Sequence, residues 1–172
     1  MQPPIHSQSL IEGFLRVAKA NLRHDGYLEP VCIIQLANGQ MDVIALHSLG
    51  PGDTLAERQQ AFRRLRQQLL VRGATVQAAI CLMEAWYLDA QTAMAGLPIA
   101  PSQHHARKQA IVIVGRNANN TRTTVVMQPF HQDAAHSYVW EKQPIAYFNQ
   151  PREGDYHFAG LLDYLFEEPE LN

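Results

Sequence analysis

The sequence predicts a single α+β domain: a two-layer arrangement in which a mainly antiparallel sheet of five or six strands is flanked by helices, in the order α-β-β-α-β-β-β-β-α. Three observations carry that prediction. The stretches 76–88 and 108–130 concentrate β-branched and aromatic residues in an alternating pattern. An Asn38-Gly39 step lies between two further apolar runs, a strong hairpin signal because both residue types tolerate positive φ. Two segments with apolar residues at helical spacing flank that hairpin, each opened by a capping box. With 172 residues, 47% hydrophobic and 17% charged, the chain fits one core that removes roughly 70% of the unfolded surface from water.

In chain order, Ser9 and Glu12 form the first capping box, and Leu10, Ile11, Phe14, Leu15, Ala18 and Leu22 make one buried stripe ended by Asp25-Gly26. Strands follow over 27–36 and 40–46. Pro30 cannot donate to a ladder, so pairing of the first strand should begin after it. Beyond the Gly50-Pro51-Gly52 break, Asp53 or Thr54 caps a second helix, with Thr54 and Glu57 as its capping box, Leu55, Phe62, Leu65 and Leu69 as its apolar stripe, and Gly73 as its stop.

The run 76–88 is apolar on both faces. Ala78, Ile80, Leu82, Trp86 and Leu88 fall on one, and Ala79, Cys81, Met83, Ala85 and Tyr87 on the other, as in a strand with little exposed surface. Ile80, Trp86, Ile111, Val125 and Phe62 are the expected core. The segment 108–114 alternates in the same way, and 121–130 resumes after a polar turn at 116–120, predicting a second hairpin. Between these strands runs 89–106, with Gly96, Pro98 and Pro101. A connection of that length points to a lid, a binding loop or a disordered segment.

A short strand over 137–141 carries Tyr138 and Trp140, and residues 1–142 then make up the expected α+β domain. The remainder, 143–172, reads as a proline-bounded linker followed by an amphipathic helix. Phe158, Leu161, Leu162, Leu165 and Phe166 form that helix, Asp155 caps it, and it packs on the same domain or on a partner. Glu167, Glu168 and Glu170 make an acidic tail.

Composition argues against several function classes. A net charge of -2 leaves no basic excess for a polyanion, and on the second helix Arg63, Arg64 and Arg66 spread among glutamines as a solvated face while Arg58 and Arg72 fall near the ends of the apolar stripe. Nucleic acid is therefore not the expected partner. Cys32 and Cys81 sit in apolar runs with no zinc-type spacing, although a disulfide between them stays open. No apolar run reaches membrane-spanning length and no leader pattern opens the chain, so a cytoplasmic location is expected. Gly50-Pro51-Gly52-Asp53 lacks the lysine and glycine spacing of a phosphate loop, and there is no Gly-x-Ser-x-Gly elbow.

The element order is similar to that of the roadblock and longin-like modules. The resemblance implies a helix-flanked antiparallel sheet that serves dimerisation and partner binding; the loop 89–106 and the tail after Gln143 depart from it. The expected function is thus a non-catalytic protein-interaction module that self-associates as a homodimer or binds another protein, with no cofactor. The expected dimer surfaces are Tyr138, Val139 and Trp140 and the terminal helix.

The rival expectation is a small metal-dependent enzyme, a hydrolase, under the 89–106 loop. A hairpin turning about Ala118 sets His105 across from His131 and His104 near Gln132, with Tyr87 and Asp89 at the same end. His104, His105, His131, Asp133 and His136 would then converge, and neutral imidazoles with a carboxylate suit a divalent transition metal or general acid-base work near neutral pH. Glu84, on the Ile80 and Leu82 face, is a further candidate catalytic residue beside His105, His131 and Asp133. Buried, it would need a partner or have a raised pKa; a bulge or a sheet margin would instead let it reach water.

Overall fold

The computed structural model describes residues 8–49, 55–88, 103, 105–141, 144–148 and 162–166. Most of the 89–106 loop, His104, the cap at Asp53 or Thr54, Phe158 to Leu161 and the acidic tail lie outside the described residues. Within them the chain forms α1 (Gln8–Asp25), β1 (Val31–Leu36), β2 (Met41–Ala45), a 3-10 turn (Leu46–Leu49), α2 (Leu55–Val71), β3 (Val76–Tyr87), β4 (Lys108–Asn117), β5 (Asn120–Gln132), β6 (Tyr138–Trp140), β7 (Ile145–Phe148) and α3 (Asp163–Phe166).

The expected α+β class, antiparallel sheet and element order are those observed. All the strand pairings are antiparallel, in the spatial order β2-β1-β3-β4-β5-β6. β6 pairs with Phe130 to Gln132 and β7 with Thr124 to Met127, so the two share the outer edge of β5 and the sheet is six strands wide. β7 arises inside the stretch read as a linker.

The expectation of two layers is corrected to three, because the central strands are apolar on both faces and each face needs cover. Ile33, Ile80, Ile113 and Val126 pack with Leu15, Ala18 and Leu22 of α1. Ile34, Cys81, Val112 and Met127 pack on the opposite face with Phe62, Leu65 and Leu69 of α2 and with Leu162 and Leu165 at α3. Arg116, on the same face, pairs with Asp163 and lies over the Phe166 ring, which fixes α3 to its own sheet.

Local signals place the element ends. Gly26 at φ 77 donates its N–H to the Leu22 carbonyl at 3.0 Å and stops α1, and Gly39 at φ 85 makes the β1–β2 turn. β1 begins at Val31, just after Pro30. Ser9, expected to cap α1, lies inside the described helix. The turn between β4 and β5 is tighter than the five polar residues suggested: Asn117 pairs with Asn120, and the register shifts between Gly115 and Asn117.

Ile80, Ile111, Val125 and Phe62 are buried, but Trp86 is 37% exposed, which corrects its place in the expected core. The β1 ladder ends at the Val31–Leu82 pair, so β3 runs on past its neighbour, and the Arg107 guanidinium covers the Trp86 ring at 4.2 Å. Cys32 and Cys81 stand directly opposite one another on β1 and β3, both free and buried. Burial pushes the Cys81 thiol well above its usual pKa, and the neighbouring Cys32 adds to the effect.

Candidate functional site

Among the described residues, the histidines do not follow the expected register. The β4–β5 ladder sets Gln109 opposite Phe130, which carries His131 level with Lys108 rather than with His105. The shift between Gly115 and Asn117 produces most of this offset, and the turn, centred between Ala118 and Asn119 rather than on Ala118, produces the rest. His131 is exposed on β5 opposite Val139, and His105 is exposed in the turn before β4. The Asp133 carboxylate accepts the N–H groups of Ala135 and Ser137, each at 2.9 Å, while His136 adopts φ 58 beside it. This is side-chain turn chemistry closing the β5–β6 hairpin. Among the described residues, no three His, Cys, Asp or Glu side chains group to hold a metal ion.

Glu84 is half-buried without a bulge, paired in continuous register with Ile111. It lies just past the end of the β1 ladder, where Gln109 Nε2 donates to its Oε1 at 2.9 Å. Burial raises its pKa, opposed by a hydrogen bond from the Leu28 backbone.

At the β6 margin, the aromatics expected to face a partner are engaged within the chain. Phe130, Tyr138 and Trp140 form a cluster with ring centroids 5.3 to 5.9 Å apart. Lys19 and Arg23 of α1 lie over the Trp140 ring, and the Tyr138 hydroxyl donates to the Gly26 carbonyl at 3.1 Å. Lys19 also donates at 2.9 Å to Gln128, a buried amide whose own N–H group reaches the Glu141 carbonyl. This network ties α1 to β5 and β6.

The opposite margin is different. β2 pairs with β1 alone, and the hydrogen bonds closing its two ends, Leu36 N–H to the Gln40 carbonyl and Leu46 N–H to the Pro30 carbonyl, fix the alternation between them. Ile34–Asp42 and Cys32–Ile44 are hydrogen-bonded pairs, whereas Gln35–Met41, Ile33–Val43 and Val31–Ala45 are not. Met41 and Val43 therefore point both backbone groups away from β1, and their side chains are 46% and 68% exposed. Beside them a cleft of about 480 Å³ separates β2 from α2, with Ile44, Leu65 and Leu69 toward the core and Arg64, Gln68 and Arg72 along the helix.

The sequence places a strand over 40–46 but not its position in the sheet. Whether a strand is central or marginal depends on which distant strand pairs with its neighbour, and here β3 takes the inner side of β1. Such a margin with a shaped cleft can accept an extended segment through its backbone. No protein-family model, curated protein or solved structure matches the chain, so its similarity to roadblock and longin-like modules rests on element order.

Proposed function

We propose that this chain is a non-catalytic protein-interaction module that binds an extended segment of its partner as an added strand on β2. The observation that carries the reading is the outward-facing backbone of Met41 and Val43 beside the β2–α2 cleft. Two donors and two acceptors at a sheet margin supply sequence-independent affinity, and alternate side chains of the added strand enter the cleft to supply selectivity. Self-association is the special case in which the added strand is β2 of a second copy. Of the expected dimer surfaces, Tyr138 and Trp140 pack toward α1 and the described end of the terminal helix, Leu162 and Leu165, packs with α2 and the sheet, while Val139 is 38% exposed; β2 is the surface to test first.

The test exploits the direction of one N–H. Val43→Pro removes a donor that β1 does not use, so the hairpin persists while an added strand loses a hydrogen bond and meets the proline ring. With circular dichroism showing both proteins folded, partners retained by immobilised wild-type chain should be lost on V43P. Amide exchange at Met41 and Val43 should slow when such a partner is added. Equal retention by both proteins, with no change in exchange, overturns the reading.

A further inference from the structure

Resting on that reading, we infer that the β2–α2 cleft takes an acidic strand in which two carboxylates, four residues apart, flank an apolar side chain. The helix wall of the cleft carries Arg64, Gln68 and Arg72 at successive four-residue steps. At 1.5 Å rise per residue, the two guanidinium-bearing positions are about 12 Å apart along the axis. A strand laid along β2 presents every second side chain to the cleft, and positions i and i+4 are about 13 Å apart. The two spacings match. Carboxylates at i and i+4 then reach Arg72 and Arg64, and the side chain at i+2 falls on Ile44, Leu65 and Leu69 beside Gln68.

Charge selects this occupant over the others. The chain is net negative, yet the charged residues lining this cleft are two arginines and one acid, Asp42. A second copy fits less well. Two-fold pairing of β2 with β2 keeps both α2 helices on one face of the joined sheet, setting Arg64 and Arg72 of each copy toward those of the other, and each incoming β2 offers only Asp42 in return. Like charges brought together in this way oppose association.

Fluorescence anisotropy with labelled peptides tests the inference. The probes carry Glu-Thr-Leu-Thr-Glu, Gln-Thr-Leu-Thr-Gln or Lys-Thr-Leu-Thr-Lys between glycine-serine flanks. The glutamate peptide should bind about tenfold more tightly than the glutamine peptide, and the difference should shrink as salt rises from about 0.1 M to about 1 M. The R64E/R72E protein should lose the glutamate peptide and gain the lysine peptide. R72E alone, at an exposed position, should shift affinity in the same direction. V43P should lose both the glutamate and glutamine peptides. Equal binding of those two by wild type, both lost on V43P, overturns the acidic inference while leaving strand addition intact. No peptide bound, with light scattering giving a dimer for wild type and a monomer for V43P, assigns the cleft to a second copy and overturns it too.

Discussion

Because burial raises the Glu84 pKa, its ionisation opposes folding. Below the usual carboxyl value of 4.5 the group is protonated in folded and unfolded chains alike and costs nothing. As pH rises through the raised folded value, the folded chain must hold a half-buried charge, so stability falls. Glu84→Gln keeps an oxygen to accept from Leu28 and Gln109 but removes that charge. Thermal unfolding should show E84Q more stable than wild type near about pH 8 and equal to it near about pH 4; a wild-type advantage at the higher pH would contradict this account. The placement of Glu84 on the Leu82 face was legible from alternation, whereas its half-buried state depends on the β1 ladder ending at Leu82, two residues earlier. Asp133 and His136 were legible as polar residues near a strand end. Their use in a hairpin turn follows from local hydrogen bonding that an Asp-x-x-His spacing does not distinguish from a ligand set.

At the scale of elements, strands and helices could be read from periodicity, turn residues and glycine stops, because each depends on neighbours within a few positions. Pairing could not. The offset that parts His131 from His105 comes mostly from a register shift between Gly115 and Asn117, and the marginal position of β2 is set by β3 arriving from beyond α2. The terminal helix shows the same division. Its apolar stripe was visible in Leu162 and Leu165, but its docking depends on Arg116, far away on β4 and largely buried beneath it. Asp163→Asn leaves that guanidinium without its carboxylate and should cost about 1 kcal/mol. It should also speed proteolytic cleavage near residue 162 relative to the rest of the chain. Unchanged urea midpoints and cleavage rates would mean that α3 is held by Leu162 and Leu165 alone.

Across the whole molecule, the sequence led to two layers with both long helices on one side of the sheet, whereas α1 and α2 cover opposite faces, because β3 and β4 are apolar on both. A consequence lies at the centre of that packing. Cys32 and Cys81 face each other in the middle of the sheet under α2, with 0% and 1% of their surfaces exposed, and the Cys81 thiol is held protonated by burial. Neither sulfur can meet a reagent until α2 and the sheet separate, so the pair is a built-in clock for global opening. In native buffer both thiols should react with a soluble disulfide reagent at least about a thousandfold more slowly than in urea, in step with each other and at a rate set by the folding equilibrium. A fast-reacting single thiol would show that one face opens by itself. A covalent bridge formed between the two during such an opening would tie β1 to β3 and trap the moment at which the core was last exposed.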